Sequence, residues 1–273
     1  MRGNETFWPA SWKDPSLQRM EKPRSRGLTM IIDKGLGLHA FHDLLQISSP
    51  YIDIYKLGFG TSALYPLDLL EAKISMAREH HIDIMPGGTF CELVVAQAPF
   101  KSYLARVKTL GFNAIEISDG TFPLSREQRD MMIARAAEAG LVVYAEFGKK
   151  AEGFTAELEE LVRTLEADML AGAAYTIVEA RESGNVGIFN RQGQVDGAFL
   201  RDVVQACGAL AGKLIWEAPH KNQQVALLRT LGLDVNLGNI APTDILSVET
   251  LRRGLRADTA FEVLSGRRIM ACD

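Results

Sequence analysis

Two sets of charged residues stand at or near the carboxyl-terminal ends of short apolar, β-branched runs. The acidic set is Glu116, Glu146, Glu179 and Glu217, and the basic set is Lys34, Lys56, Lys149, Lys150 and Arg181. Carboxylates suit a hard cation such as Mg²⁺, which takes one or two protein carboxylates and completes its shell with water and substrate oxygens. Fixed cations at the same place would gather an anionic substrate, and a lysine among them can act as a general acid.

Each of these residues also has a plain structural alternative. A single glutamate can serve only to pair with a lysine, and a single lysine at a strand end can form only a solvated salt bridge. The set as a whole favours a functional site. Four glutamates that converge would repel one another unless a metal ion, lysines or both lie among them.

Histidines and cysteines do not indicate a zinc site or a disulfide framework. The five histidines (39, 42, 80, 81 and 220) form no HxxxH or HxH pair backed by cysteines. His39 and His42 are one helical turn apart, where a packing or surface role is favoured. The three cysteines (91, 207 and 272) are odd in number and far apart, as expected of reduced thiols in a cytoplasmic protein.

The apolar runs recur eight times, with stretches of helical periodicity between them. The runs span residues 28–34, 52–56, 82–87, 114–119, 141–146, 175–181, 214–217 and 235–239. A strand–helix unit repeated eight times predicts an α/β protein, a single (β/α)₈ TIM-type barrel, which does its chemistry at the carboxyl ends of its strands. One intervening helix is marked by a capping-box pattern at Ser125 and Gln128 and by Gly140 after its end.

Alternation along the strands predicts where the charged side chains point. Alternate residues of a barrel strand face the interior, and the others face the helices. This pattern directs Glu116 and Ser118 inward, does the same for Glu146, and gives Glu179 and Arg181 one parity. We therefore expect the glutamates to meet at one mouth of the barrel.

Length and charge bound the organisation and the partners. The chain of 273 residues fits one barrel domain at 23–273, preceded by an N-terminal arm at 1–22 that contains Trp8 and Trp12. We expect the arm to pack outside or beneath the barrel, where it could serve contacts in a homo-oligomer. The net charge of −4 gives no field for nucleic acid, and no apolar stretch indicates a signal peptide or a membrane span.

A turn at Gly238 and Asn239 follows the eighth run and precedes a segment with helical character. In this fold a phosphate is often held after strands seven and eight, beside a short helix amino terminus. A Gly-Asn turn alone is a weak signal. Together with the basic set it favours a small, polyanionic and phosphorylated substrate.

With these residues laid out, the chain resembles the phosphosulfolactate synthase family over residues 22–258. The segments that carry the resemblance are KPR (22–24), DKG (33–35), IDIYKLGFGTS (52–62), MPGGTFCE (85–92), AIEISDGT (114–121), EFGKK (146–150), EARESGNVGIFN (179–190), IWEAPHKNQQVA (215–226) and VNLGNIAPTDILSVETLRRGLRADT (235–259). The resemblance implies a (β/α)₈ barrel that adds sulfite to phosphoenolpyruvate with Mg²⁺, giving (2R)-phospho-3-sulfolactate.

The resemblance also implies roles for the charged residues. Lys149 is the expected general acid, with Lys150 and then Lys34 as alternatives. Glu146 and Glu179 are the first choices as Mg²⁺ ligands, and Glu116 and Glu217 the second. The residues assigned to the substrate anions are Lys34, Lys56 and Arg181, with Gly238 and Asn239 at the phosphate.

Two other functions stay open at this point. The same charges would suit another barrel lyase or aldolase that acts on a phosphorylated oxo-acid. A non-enzymatic, stress-related member of the family is the third possibility.

Overall fold

The structure, a computed structural model, describes residues 7–148, 156–180, 188–189 and 194–265. Three residues that the sequence predicts in the site, Lys149, Lys150 and Arg181, lie outside the described residues.

Eight parallel strands form a nearly closed barrel, as predicted. They are β1 (Thr29–Asp33), β2 (Ile54–Leu57), β3 (Asp83–Pro86), β4 (Ala114–Ile117), β5 (Val142–Phe147), β6 (Tyr175–Val178), β7 (Leu214–Glu217) and β8 (Leu237–Ile240). The strand order is β3-β2-β1-β8-β7-β6-β5-β4, and every paired neighbour is parallel. All eight predicted runs coincide with strands, and the α/β TIM-type barrel is confirmed.

Helices connect the strands and surround the barrel. Within the described residues they are α1 (Ala10–Lys13), α2 (Leu38–Ser48), α3 (Leu67–Glu79), α4 (Gly88–Val95), α5 (Phe100–Thr109), α6 (Arg126–Glu138), α7 (Leu158–Ala171), α8 (Gly197–Cys207), α9 (Lys221–Leu231), α10 (Ile245–Arg252) and α11 (Ala257–Ser265). No helix of the described residues has the length and apolarity that crossing a bilayer requires.

The start and end of α6 follow from its sequence. The Ser125 hydroxyl accepts the backbone N–H of Gln128 at 3.2 Å, and the Gln128 side chain accepts the N–H of Ser125 at 2.9 Å. This is the predicted capping box, which satisfies backbone donors that the helix itself leaves unpaired. Gly140 has φ +81°, the left-handed conformation that ends a helix without a side-chain clash.

The apolar core has two layers, and strand alternation divides them. The inner layer fills the barrel and contains Leu28, Met30, Ile54, Met85, Ala114, Tyr144, Ile177 and Ile215. The outer layer lies between strands and helices and includes Ile115, Val143 and Trp216, whose parity is opposite. The inner layer fills the middle of the barrel, and the clustered glutamates lie above it at the carboxyl end.

Residues before β1 cross the amino-terminal end of the barrel. The Lys22 ammonium donates to the carbonyl of Ile52 at 2.6 Å, and Arg19 Nε lies 3.0 Å from a carboxylate oxygen of Glu249 on α10. Both contacts are at the end opposite to the clustered glutamates. The part of this segment that the structure describes, from residue 7 on, therefore supports the barrel from below.

Candidate functional site

Lys56 lies at the centre of the carboxyl-terminal mouth, and its side chain points inward from β2. Its Nζ is 3.1 Å from Glu116 Oε1 on β4, 3.2 Å from Glu217 Oε1 on β7 and 3.9 Å from Glu146 Oε2 on β5. Lys56 is 5% exposed, and the three glutamates are buried as well. The inward direction that alternation predicts for Glu116 and Glu146 is therefore confirmed.

The charge of Lys56 is set by this cluster. Burial alone would lower the pKa of its ammonium, but Glu116, Glu217, Glu146 and Glu179 together raise that pKa well above its usual value. Lys56 is therefore protonated at neutral pH, with its charge already balanced by carboxylates. This placement suits a counter-ion that lets the glutamates coexist. The substrate contact expected of Lys56 stays a prediction.

Glu116 and Glu217 are held by both carboxylate oxygens. Glu116 Oε2 accepts the backbone N–H of Gly88 at 2.6 Å, at the amino terminus of α4, where the helix dipole favours a negative charge. Glu217 Oε2 accepts the N–H of Ala180, just beyond β6, at 3.0 Å. With Lys56 on the other oxygen of each, both side chains are anchored in one orientation.

Glu146 and Glu179 are bound less closely to Lys56. Glu146 approaches it at 3.9 Å, whereas Glu179 acts on it through charge at longer range. Both residues are 3% exposed. Two buried carboxylates at a barrel mouth fit Mg²⁺, which is usually held by one or two carboxylates with water and substrate oxygens. Among the residues that the structure describes, no group of three or more His, Cys, Asp or Glu could hold a metal ion.

A second, smaller feature lies at the carboxyl ends of β1, β7 and β8. A cavity of about 150 Å³ is lined by Ile32, Lys34, Pro219, His220, Asn239 and Ala241. The predicted residues Lys34 and Asn239 thus meet here. His220, for which the sequence predicts no role in the site, lines the same cavity. Its position three residues after Glu217, directly beyond the seventh strand, is the signal that could have found it.

Asn239 adopts an unusual backbone conformation at this cavity. Its φ is +53°, in the left-handed region, and the pairing of β8 with β1 shifts register there. The residue is 5% exposed, and within the described residues its Oδ1 has no hydrogen-bond partner. Buried polar atoms are normally paired, so this atom is suited to contact a bound molecule.

Gly238 faces the barrel interior. A Cβ built on it would lie 2.7 Å from Met30 Cε and 3.2 Å from Ile215 Cγ2. Close packing inside the barrel therefore accounts for the glycine. The phosphate contact expected of Gly238 stays a prediction.

Glu92 is a further buried carboxylate at the mouth, and the sequence predicts no role for it. It projects from α4 and accepts the Ser118 hydroxyl at 2.5 Å and the backbone N–H groups of Thr121 and Phe122 at 2.6 and 2.8 Å. Through these three hydrogen bonds Glu92 fixes the loop that follows β4, beside Glu116. Glu92 sits within the MPGGTFCE segment, but its helical position gave no sign of this reach.

The eight parallel strands and their surrounding helices define an α/β barrel protein of the TIM type, with a buried lysine–carboxylate cluster at its carboxyl end. The barrel aligns with the crystal structure of 3-hexulose-6-phosphate synthase at a TM-score of 0.53 and 14% identity, over 82% of this chain and 97% of that one. At that identity the likeness concerns the fold alone. The model of the (2R)-phospho-3-sulfolactate synthase (ComA) family matches residues 17–258. The chain belongs to the phosphosulfolactate synthase family.

Relatives with known names agree with this assignment. The phosphosulfolactate synthase of Methanocaldococcus jannaschii is 42% identical over 241 residues, which is 87% of this chain and 95% of the relative. A protein of Arabidopsis thaliana named Heat-stress-associated 32 is 23% identical, over 88% of this chain and 91% of that protein. The chain is thus much closer to the synthase than to the stress-associated relative.

Proposed function

We propose that this protein catalyses the Mg²⁺-dependent addition of sulfite to phosphoenolpyruvate, giving (2R)-phospho-3-sulfolactate. The observation that carries the proposal is the buried cluster of Lys56 with Glu116, Glu146 and Glu217, in a chain that matches the family over residues 17–258. The reaction would take place in the cytoplasm on small anionic substrates.

The cavity beside β1 and β8 suits the phosphate of phosphoenolpyruvate. Lys34 would supply a positive charge, and Asn239 would lie beside the phosphate as part of the cavity wall. The amino terminus of α9, at Lys221, lies directly after the lining residue His220. Helix amino termini bind phosphate through backbone N–H groups and the helix dipole.

Glu146 and Glu179 would hold Mg²⁺. Once bound, the ion would stabilise the negative charge that grows on the substrate carboxylate during addition. Glu116 and Glu217, fixed by Lys56 and by backbone N–H groups, would keep their shape throughout. This division of roles matches the order of preference that the sequence gives to the four glutamates.

The chemical step forms one carbon–sulfur bond and one carbon–hydrogen bond. The sulfur lone pair of sulfite attacks C3 of phosphoenolpyruvate, and the π electrons move toward the carboxylate. A proton is then added at C2, and the phosphate ester stays intact. Lys149 is the proposed donor of this proton, with Lys150 and Lys34 as alternatives, because Lys149 follows strand five in the sequence and a lysine can act as a general acid.

The test is direct assay of the purified protein with phosphoenolpyruvate and sulfite, with and without Mg²⁺. We expect a sulfonated product by mass spectrometry only when all three are present. Turnover of phosphoenolpyruvate without sulfite would instead indicate another lyase or an aldolase, and trapping of a lysine Schiff base by borohydride would identify the aldolase. If calorimetry detects no phosphoenolpyruvate binding with Mg²⁺, a non-enzymatic, stress-related role is favoured.

A further inference from the structure

A buried arginine ties the carboxyl ends of β4 and β5 together. Arg129, on α6, donates from Nη2 to the backbone carbonyl of Glu146 at 3.0 Å and from Nη1 to Asp119 Oδ1, two residues beyond β4, at 3.1 Å. Its Nε and Nη2 also reach the two oxygens of Asp168 on α7, at 2.9 and 2.7 Å. Only 4% of the Arg129 side chain is exposed.

Arg129 is connected to the cluster of Lys56 with Glu116 and Glu146 through the backbone of the strands that carry these glutamates. Glu116 is on β4 and Glu146 is on β5, so the guanidinium fixes the ends of both strands that present these carboxylates. A guanidinium holds its partners in a rigid planar fork, which an ammonium cannot reproduce. The Asp168 carboxylate fixes the fork in turn, and its side chain is fully buried.

We propose that Arg129 is a positioning residue for the reaction, which sets the direction of the Glu146 carboxylate by holding the Glu146 backbone. The proposal rests on the proposed function, because it concerns the site where Glu146 would hold Mg²⁺. Arg129 acts through Glu146 and is not expected to contact substrate. Partners that orient metal ligands in this way typically change metal affinity or activity by roughly 10- to 100-fold when they are replaced.

The chain offers a matched control in Arg126, one turn earlier on α6. Arg126 Nη2 also donates to Asp168 Oδ1, at 2.8 Å, and it pairs with Asp130. Its side chain is 35% exposed, and its described contacts include neither Asp119 nor Glu146. Loss of Arg126 therefore weakens the pairing of Asp168 but leaves the strand ends held.

The experiment compares Arg129→Lys, Arg129→Gln and Arg126→Gln with the wild type. We expect Arg129→Lys to fold, with kcat lowered and the Kd for Mg²⁺ raised by roughly 10-fold or more, and with little change in KM for phosphoenolpyruvate. Arg126→Gln should leave kcat and the Mg²⁺ Kd within about twofold. Thermal unfolding of each variant shows whether lost activity reflects lost folded protein.

Calorimetric titration of Mg²⁺ without substrates keeps the two proposals distinguishable. If the wild type forms no sulfonated product, the proposed function is wrong. The Kd for Mg²⁺ of the variants, compared with that of the wild type, then tests the role of Arg129. A Kd in Arg129→Lys equal to that of the wild type overturns the positioning role. Equal losses in Arg129→Lys and Arg126→Gln overturn it too, because they would trace the effect to Asp168 alone.

Discussion

The side chain of Asn113 joins β4 to β3 where the barrel meets itself. Its Oδ1 accepts the backbone N–H of Ile84 at 2.8 Å, and its amide nitrogen donates to Asp83 Oδ1 at 3.0 Å. β3 and β4 are the first and last strands in the sheet order, and within the described residues no backbone ladder pairs them. One amide side chain thus bridges the seam.

Replacing Asn113 by alanine should destabilise the protein by about 1–3 kcal/mol, because the buried N–H of Ile84 loses its acceptor. Urea unfolding measures the change. The control is Gln97→Ala, since within the described residues the Gln97 amide donates to the Leu93 carbonyl on an exposed surface. Equal stability of the two variants would show that the seam does not depend on Asn113.

Replacing Lys56 by methionine should lower stability by about 3–5 kcal/mol, because three buried carboxylates lose their common cation. In the wild type the raised pKa of Lys56 keeps its contribution complete below the ordinary lysine value, and it is lost only as the pH rises through the raised pKa.

The control for Lys56 is Lys221→Met, in which an ammonium 52% exposed loses its pairing with Asp258 at 3.0 Å. Exposed pairs contribute only about 0–1 kcal/mol. Unfolding in guanidinium chloride from pH 5 to pH 9 gives the free energies of unfolding of the two variants for comparison. A Lys56→Met protein as stable as Lys221→Met would contradict the role of Lys56 as the counter-ion.

Gly88→Ala should disturb the mouth directly. The added Cβ would lie 2.4 Å from Ser118 Oγ and 3.1 Å from Glu116 Cγ, so both side chains must move. Overpacking of this kind costs about 1–3 kcal/mol, and we expect kcat/KM to fall as well. Gly212→Ala is the matched control, because a Cβ added at Gly212 would have no described neighbour within 4 Å. Wild-type kinetics in Gly88→Ala would show that Glu116 tolerates displacement.

Glu146→Gln and Glu217→Gln should separate metal binding from anchoring. In Glu146→Gln we expect the Mg²⁺ concentration for half-maximal activity to rise by roughly 10-fold or more, with modest loss of stability. Glu217→Gln should mainly lower stability, since Glu217 binds both Lys56 and the Ala180 backbone. An unchanged Mg²⁺ titration in Glu146→Gln would remove Glu146 from the metal ligands.

Glu249 should contribute to acid sensitivity. Burial tends to raise the pKa of its carboxyl, but the ion pairs with Arg19 and Arg253 lower it below the usual value. A lowered pKa adds stability above the ordinary glutamate value, and this stability disappears as the pH falls through the lowered one. Glu249→Gln should therefore be less stable than the wild type at pH 7, with the difference shrinking by pH 3. A difference that is independent of pH would contradict this account.

The apolar runs and their two-residue alternation predict the strands and the inward direction of the glutamates, because that period follows directly from strand geometry. The partners of Lys56 could not be read in this way. A lysine at a strand end can reach a substrate or a neighbouring carboxylate, and only the register of distant strands decides. The roles of Glu92 and Asn113 could not be predicted for the same reason, since each side chain binds backbone N–H groups that are remote in sequence. The roles of Lys149, Lys150 and Arg181, outside the described residues, stay predictions.

Burial of the Lys56 cluster also separates two kinds of response to ionic strength. Mobile ions screen exposed charges over about 8–10 Å at 0.1–0.15 M salt but reach buried pairs much less. Sodium chloride should therefore weaken capture of anions by the exposed Lys34, while leaving the buried cluster of Lys56 with Glu116, Glu146 and Glu217 intact. At high salt concentration the affinity for anions should therefore fall well before the protein unfolds.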